Sequence, residues 1–305
     1  MAKDIFRRYI WLVDTIRRSQ GGITFEQINE RWRQSCLNEW GNDLSKRTFR
    51  NWLNSLPLAL GIWVECEHKA PFRYFIAGDE TSHSDLMQWS LNALSIGSVM
   101  ADNRLLHSRI LLEEIPTAGE TLEIICSAMR HNHMIWMHYQ PFATGYDYAF
   151  ETKPYALKLC NRRWYLIAHS DKHNREFSYG LDRIVEVREL DQTFDMPTSF
   201  SAKRKFESCI GMHSDEEKPI EVVRLKVTGY VRDYIDTLPL HHSQEVESKT
   251  DVFTIYRYRL IENYELIDTI TGLGAHCEVL EPLSLRQSVK VKAQEIARIN
   301  HGSFI

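Results

Sequence analysis

Seven side chains in the middle of this 305-residue sequence combine positive charge, aromatic rings and hydrogen-bonding groups. They lie on consecutive segments that read as short strands, so they are expected to converge on one face of a sheet. Arginine pairs with phosphate through two parallel hydrogen bonds, and a base stacked on an aromatic ring contributes about 1–3 kcal/mol. The residues predicted to bind a nucleotide or nucleic-acid ligand are Tyr139, Lys153, Lys158, Arg163, Tyr165, His169 and Arg183.

Several of these positions have a structural alternative. Trp164 and Leu166 flank Tyr165 and are expected to belong to the core, and some of the cations can extend along apolar surface into solvent. Asp182 precedes Arg183 and offers it an ion pair. His169, next to Ser170, also fits a partly buried histidine. For each of these residues, the sequence alone does not decide between a role in ligand binding and a structural role.

Catalytic and metal-binding motifs are not evident. The serines have no GxSxG context and the sequence has no P-loop, so the chain is not predicted to be an enzyme. Six scattered cysteines without a CxxC pair favour reduced thiols in a cytoplasm. The pairs His131/His133 and His241/His242 lack the i, i+4 spacing with a glutamate of a helical zinc site. No metal and no cofactor is therefore predicted.

The first 78 residues are basic, with 12 lysines and arginines against 8 aspartates and glutamates. The rest of the chain is acidic, with 25 against 33. A basic segment on an acidic body indicates that this segment, and not the whole chain, meets a polyanion. No apolar run approaches the roughly 18–20 residues that span a membrane, and the charged start does not resemble a signal peptide.

Three helices and a hairpin are predicted in this basic segment. Apolar spacing indicates a helix over 4–18, a capping box starts a second one at Thr24, and Ser45 can cap a third over 46–56. Two alternating strands follow around a turn at Lys69-Ala70-Pro71. This order is typical of a winged helix-turn-helix, in which the third helix enters the major groove and hairpin cations touch phosphate.

The predicted DNA-binding residues lie at the start of the third helix and on the hairpin. They are Lys46, Arg47, Thr48, Arg50, Asn51, Lys69 and Arg73. The alternative is a small α+β domain with a solvated basic face, because charge on an exposed helix is common.

The remaining sequence changes period twice. Residues 79–132 are predicted to be helical, and residues 133–190 to form five short strands, a small barrel or strongly bent sheet. A polar stretch at 191–218 is expected to be a linker or a poorly packed segment. From residue 220 onwards, strands predicted at 220–227, 252–260 and 277–280 alternate with helices, as in a compact α+β sandwich. Asn263 can cap the helix predicted at 264–271.

The central strands carry a pattern that resembles the WYL domain, which is named for the tripeptide present here as Trp164-Tyr165-Leu166. The supporting residues are a strand ending in Tyr139, then Lys153-Pro154-Tyr155, and the closing Leu181-Asp182-Arg183-Ile184. Relatives often carry a cation before that closing motif, where this chain has Gly180. The C-terminal unit resembles the extension that follows a WYL domain, through Pro239-Leu240-His241, Ser243-Gln244, Glu265-Leu266, Val279-Leu280 and Pro282.

The resemblance implies an α+β multidomain protein with an Sm-like (SH3-like) small β-barrel at its centre. The expected parts are a winged helix-turn-helix at 1–78, a helical linker at 79–116, the WYL domain at 117–195, a linker at 196–218 and an α+β extension at 219–305. A polar insertion at 35–44 makes the first of these parts longer than a compact winged helix needs.

The resemblance also implies a function. Such proteins are similar to bacterial, cytoplasmic transcriptional regulators that bind double-stranded DNA as homodimers, with a WYL domain that senses a nucleotide or nucleic-acid ligand. The alternative is a nucleic-acid or nucleotide sensor that serves a defence or repair system. In that case the winged segment would contact another protein.

Overall fold

The computed structural model describes residues 2–19, 21–35, 37–38, 40–77, 119–142, 145–215 and 217–301, with isolated positions between 78 and 118. The chain divides into two compact units, Met1–Glu113 and Glu114–Ile305. The linker predicted for 79–116 lies almost entirely outside the described residues. Every helix within the described residues is too short or too polar to cross a membrane.

The first unit contains three helices and a hairpin. They are α1 (Ala2–Arg17), α2 (Phe25–Arg33), α3 (Lys46–Leu60), β1 (Val64–Cys66) and β2 (Tyr74–Ile76). Both predicted caps are confirmed: Thr24 and Gln27 form a reciprocal capping box, and the Ser45 hydroxyl accepts the Thr48 N–H at 3.0 Å. α3 continues one turn past its predicted end and stops where Gly61 turns left-handed at φ 66°.

Aromatic side chains join these elements into one core. Trp32 lies edge-on between Trp11 and Trp52, with ring centroids 5.1 and 5.2 Å apart. Ile23, just before α2, exchanges backbone hydrogen bonds of 3.0 and 2.8 Å with Tyr74 of β2. Because this bridge fixes the hairpin against the start of α2, the hairpin cations have a defined position relative to the helices.

The second unit begins with a helix and a five-stranded antiparallel sheet, here called the central sheet. Its elements are α4 (Gly119–His131), β3 (His133–Tyr139), β4 (Tyr148–Cys160), β5 (Arg163–Ser170), β6 (Arg175–Gly180) and β7 (Ile184–Thr193). The strand order is β6-β5-β4-β3-β7. β4 pairs with β3 through residues 148–152 and with β5 through residues 153–160, with a bulge near Tyr155. A strand that changes partner at a bulge bends the sheet strongly.

The tripeptide at 164–166 is divided between the two faces of the central sheet, as its alternation predicted. Leu166 is fully buried and Trp164 partly buried in the core that α4 covers, together with Ile125 and Met137. Tyr165 lies in a separate cluster on the opposite face. The expectation that Trp164 and Leu166 support the core is therefore met.

The prediction of a poorly packed stretch after the sheet is wrong. Residues 194–215, here called the connecting segment, contain α5 (Ala202–Phe206) and the buried side chains of Phe194, Cys209 and Met212. Met212 packs on Ala156 and Ile167 of the central sheet. The segment therefore covers part of the face that carries Tyr165.

The C-terminal part forms a four-stranded antiparallel sheet in the order β11-β8-β10-β9, with helices α6–α8 around it. The elements are β8 (Glu221–Thr228), α6 (Val231–Thr237), β9 (Glu245–Lys249), β10 (Phe253–Leu260), α7 (Tyr264–Gly272), β11 (Cys277–Glu281) and α8 (Leu283–Ile299). The predicted cap of α7 is confirmed, since the Asn263 side chain accepts the Leu266 N–H at 2.7 Å. β9 was not predicted from the sequence, which indicated a loop before the strand at 252–260.

A histidine before β9 makes the stability of this part sensitive to acid. Nδ1 of His241 accepts the Ser243 N–H at 3.2 Å. Burial and the neighbouring His242 lower the pKa of His241 from 6.5 to about 4. Between these values the unfolded chain binds a proton that the folded chain does not, so the free energy of unfolding falls as the pH drops from 6.5 to about 4.

We expect urea denaturation midpoints to fall through this pH window, and the variant His241→Gln to show a smaller fall because glutamine does not titrate. An unchanged pH dependence in the variant would contradict the assignment.

Candidate functional site

The register of the central sheet brings the predicted ligand-binding residues of β4 and β5 to one face. Lys153 lies opposite His169, and Lys158 opposite Tyr165. Arg163 is two residues before Tyr165 on β5 and therefore shares its face. Directly opposite residues point to the same side of a sheet, so these five side chains start from a common surface.

Lys158 does not point into an open part of that surface. Its Nζ donates a 2.6 Å hydrogen bond to the carbonyl of Gly211 in the connecting segment and lies 3.8 Å from the centre of the Phe206 ring. Burial lowers the pKa of the Lys158 ammonium. Lys158 therefore holds the connecting segment against the sheet, and the segment divides the basic face into two ends.

At one end, Arg183 lies among aromatic rings. Its guanidinium carbon is 5.7 Å from the ring centre of Tyr139, 5.0 Å from Phe142 and 5.8 Å from Tyr165. The hydroxyl of Tyr139 accepts the Gly180 N–H at 3.3 Å, and burial raises the pKa of this tyrosine. A planar cation surrounded by rings can pair with an anion and stack with a base.

The ion-pair alternative for Arg183 is only partly realised. Its Nε lies 3.6 Å from Asp182 Oδ1, which is too long for a hydrogen bond, and this buried Nε has no hydrogen-bond partner among the described residues. Arg163 takes the other carboxylate oxygen, with Nη1 2.9 Å from Asp182 Oδ2. A buried donor without a partner is costly, so an acceptor from a ligand would gain from pairing with Arg183.

Gly180 explains how Arg183 reaches this position. A Cβ at residue 180 would lie 2.7 Å from Arg183 Nε and would overlap its Nη2. Gly180 therefore leaves the space that the Arg183 guanidinium fills.

At the other end, His169 opens onto a cavity of about 770 Å³ between the central sheet, the connecting segment and residues 218–220 and 261. His169 stacks on Tyr155 at 5.6 Å, while Lys153 Nζ pairs with Asp171 at 2.6 Å. The residues of the cavity are Tyr155, His169, Asn174, Glu176, Pro197, Ser199, Phe200, Ser201, Arg204, Lys205, Ser208, Ser214, Lys218, Ile220 and Ile261. Its cations outnumber its single carboxylate, so the cavity favours an anion.

Sequence reasoning missed the contribution of the connecting segment to this cavity. Arg204 and Lys205 belong to a short basic run that was read as part of a polar linker. The run itself was a usable signal, since basic clusters often contact anions. Tyr155 was named only as part of a motif, but it forms the wall against which His169 stacks.

In the first unit, the predicted DNA-binding residues of α3 form an exposed surface. Lys46, Arg47, Arg50 and Asn51 are exposed, whereas Phe49 between them is buried. None of the three cations has a carboxylate partner among the described residues. Thr48 is different, because its backbone N–H and its hydroxyl both bond to the Ser45 side chain, and it therefore belongs to the cap.

The hairpin adds two further exposed cations, Lys69 at its turn and Arg73 just before β2. The polar insertion before α3 is an ordered loop in its described residues: the Asn38 side chain bonds to the carbonyls of Trp32 and Asn42 at 3.1 and 2.8 Å. The insertion therefore folds back on α2, and α3 still begins at its own cap.

One further cluster contains side chains that could hold a metal ion. His131 and His133 lie close to Glu189, which is distant in sequence. The rings of the other histidine pair, His241 and His242, are tilted by 40° with their centres 4.0 Å apart.

Two family models match the second unit. The model described as WYL domain matches residues 120–189, and the model described as WCX domain matches residues 219–297. These ranges coincide with the central sheet plus α4 and with the C-terminal sheet and its helices.

Two solved structures are similar to this chain over nearly its whole length. One is proteasome accessory factor B/C (PafBC) of Arthrobacter aurescens, at 18% identity and a TM-score of 0.38, where the match covers 99% of this chain. This chain spans about half of that one, 48% of its length. The other is a CRISPR Cas-related protein, at 11% identity and a TM-score of 0.38, covering 98% of this chain and 85% of that one. No curated protein matches.

Proposed function

From the premise that this chain belongs to the WYL-domain protein family, we propose that it is a DNA-binding transcriptional regulator that senses a nucleotide or nucleic-acid ligand. In this proposal the first unit is a winged helix-turn-helix and the central sheet is an Sm-like barrel that binds the ligand. The chain acts in the cytoplasm by binding and not by catalysis.

The observation that carries DNA binding is the exposed row of cations at the start of α3. Lys46, Arg47 and Arg50 project from the first two turns and have no carboxylate partner among the described residues. Duplex DNA attracts such a row because its neutralised phosphates release counterions. A helix that enters the major groove by its first turns places these same residues on base edges and phosphates. Lys69 and Arg73 on the hairpin would contact phosphate beside them.

The observation that supports ligand sensing is Arg183, whose guanidinium lies among three aromatic rings and whose buried Nε has no hydrogen-bond partner in the described part of the chain. A nucleotide offers a phosphate for the cation and a base for the rings. Arg163 and Tyr165 flank this position, and Lys153 and His169 extend the surface towards the cavity. Ligand binding would alter DNA affinity only if the ligand binds the two states differently.

A homodimer is part of the proposal. Two first units would meet a two-fold symmetric operator, with half-sites about one helical turn apart.

The second candidate function is a nucleic-acid or nucleotide sensor that acts in a defence or repair system and contacts another protein through its first unit. The exposed aromatic side chains of Trp40, Trp63 and Phe72 in that unit favour a protein contact. Duplex binding by the full chain separates the two candidates, because only the regulator needs it.

Gly180→Ala is expected to weaken ligand binding without removing any contact residue. The added Cβ would displace the Arg183 guanidinium, and a cation–aromatic contact is worth about 0.5–2 kcal/mol, so we expect a loss of roughly 3- to 30-fold. Fluorescence anisotropy with a short labelled single-stranded oligonucleotide measures this affinity.

Arg183→Ala should lose at least as much affinity as Gly180→Ala. The matched control is Gly145→Ala in the loop before β4, since no atom lies within 4 Å of a Cβ there. Equal oligonucleotide affinity in the unaltered chain and in all three variants would show that Arg183 does not contact the ligand.

A further inference from the structure

A one-residue turn brings two histidines side by side at the end of α4. Asn132, between His131 and His133, adopts a left-handed conformation at φ 54°, which asparagine tolerates better than most residues. Its carbonyl accepts the N–H of Phe194 at 2.9 Å, and this bond ties the end of β7 to the turn. The last residue of α4 and the first of β3 therefore present their imidazoles to the same place.

Glu189 on β7 completes the cluster. Its Oε1 lies 2.7 Å from Nδ1 of His133 and 3.3 Å from Nδ1 of His131. The strand pairing places Glu189 opposite Ile135, next to the bulge that separates Ile135 from His133. Three donor atoms from three elements thus lie within 4.8 Å of one another.

The carboxylate is held in place from the helix side. The Ser127 side chain, one turn before His131, hydrogen-bonds to Glu189. A second partner of this kind orients a ligating carboxylate in many metal sites. The side chains of His133 and Glu189 are 26% and 25% exposed and that of His131 52%, so an ion and its water ligands can reach all three.

We propose that His131, His133 and Glu189 form a binding site for a divalent transition-metal ion of the zinc class. Two imidazole nitrogens and one carboxylate oxygen are the donor set of open zinc sites, in which water fills the remaining position. Donors around a tetrahedral ion at about 2.0–2.2 Å lie roughly 3.3–3.6 Å apart. Glu189 Oε1 is already 3.3 Å from Nδ1 of His131 and 2.7 Å from Nδ1 of His133, so an ion would need to move only the second pair apart. Magnesium and calcium prefer all-oxygen sites and are not expected to compete.

The same contacts without an ion would be a hydrogen-bonded network in which both imidazoles donate to the carboxylate. The two possibilities differ in what they predict for metal titration. An ion would replace the Nδ1 protons and link the end of α4 to β3 and β7. Because it binds only the folded chain, it would raise the melting temperature as its concentration increases.

The test is isothermal titration of the full, untagged, chelator-stripped chain with zinc chloride, together with the visible absorption of a Co²⁺-loaded sample. We expect one ion per chain, and a loss of affinity of at least about 10-fold in His133→Ala and in Glu189→Gln. Glu189→Gln keeps the shape of the side chain, so it remains informative if His133→Ala folds poorly.

The matched control is His138→Ala. His138 lies on the same strand as His133 and pairs with Asp147 at 2.6 Å. Within the described residues, no third metal-ligating group lies beside this pair. This variant should bind zinc like the unaltered chain. Absence of zinc binding in the unaltered chain, or equal affinity in Glu189→Gln, would show that the cluster is only a hydrogen-bonded network.

Discussion

Replacing Arg47 and Arg50 together by alanine is expected to lower the affinity of the full chain for duplex DNA by about 30-fold or more. Each arginine in contact with a base or phosphate contributes about 1–3 kcal/mol, and 1.4 kcal/mol corresponds to a factor of ten. Both side chains are exposed on the first two turns of α3, and neither has a carboxylate partner among the described residues. The stability of the first unit should therefore change little. Fluorescence anisotropy with a labelled duplex measures the loss.

The control for this double variant changes net charge by the same amount elsewhere. Lys290 and Arg298 are exposed on α8 in the second unit, and Lys290→Ala with Arg298→Ala also removes two positive charges. That variant should bind duplex almost as well as the unaltered chain. Equal losses in both double variants would indicate a nonspecific charge effect. No loss in the α3 variant, with oligonucleotide binding intact, would favour the sensor that contacts a protein.

Gly211→Ala is expected to destabilise the second unit by about 3–5 kcal/mol. Gly211 is left-handed at φ +85°, where a side chain costs about 1–2 kcal/mol. Its Cβ would also overlap the carboxylate of Glu265, which accepts the N–H groups of Met212 and His213 at 2.7 and 2.8 Å. Loss of hydrogen bonds to a charged group adds about 1.5–3 kcal/mol. Urea denaturation followed by circular dichroism measures the change.

Two other glycines distinguish the effect of backbone strain from the effect of the contact with Glu265. Gly145 has a similar φ of +68° but open space around it, so Gly145→Ala shows the backbone strain alone. Gly272 lies at the end of α7 with nothing within 4 Å, and Gly272→Ala should be neutral or slightly stabilising. If Gly211→Ala unfolds at the same urea concentration as Gly145→Ala, the contact with Glu265 contributes no stability.

The expected instability of Gly211→Ala has a structural consequence. The carbonyl of Gly211 accepts the Lys158 ammonium from the central sheet, and the following two N–H groups bond to Glu265 at the start of α7. Residues 211–213 of the connecting segment therefore join the central sheet to α7 of the C-terminal part. A ligand that displaced Lys158 would act on this junction.

Local signals in the sequence were sufficient to predict the helix caps and the faces on which Trp164, Tyr165 and Leu166 lie. Thr24, Ser45 and Asn263 each bond to a backbone N–H two or three residues away, so their roles depend only on neighbouring residues. Trp164 and Leu166 alternate with Tyr165, and this period of two places them on opposite faces whatever the partners of β5 are.

Features that depend on distant pairing were missed. β9 is a polar edge strand, and it forms because its backbone pairs with β10, which residue types do not reveal. The apolar residues Phe194, Cys209 and Met212 are spaced irregularly. Their spacing therefore has no helical or strand period that would predict a buried segment. Glu189 meets His133 across 56 residues, and only the register of β3 and β7 brings them together.

The ligand face was predicted in part for the same reason. Lys153, Lys158, Tyr165 and His169 were expected to converge on one face, and the register places them there. Alternation alone would put Lys153 and Lys158, five residues apart, on opposite faces, and the bulge near Tyr155 brings them to the same one. Alternation could not show that the connecting segment lies across the middle of this face and engages Lys158. Nor could it show that Arg183 occupies the space left by Gly180.

The salt dependence of duplex binding by the full chain tests DNA recognition most directly. With a fragment taken from the DNA upstream of its own gene, the logarithm of the binding constant should fall linearly with the logarithm of salt concentration, by about 0.9 for each phosphate contact. In the variant with Arg47→Ala and Arg50→Ala the slope should be shallower by about 2 for each bound chain. No binding at low salt, or the same slope in both proteins, would contradict DNA binding through α3.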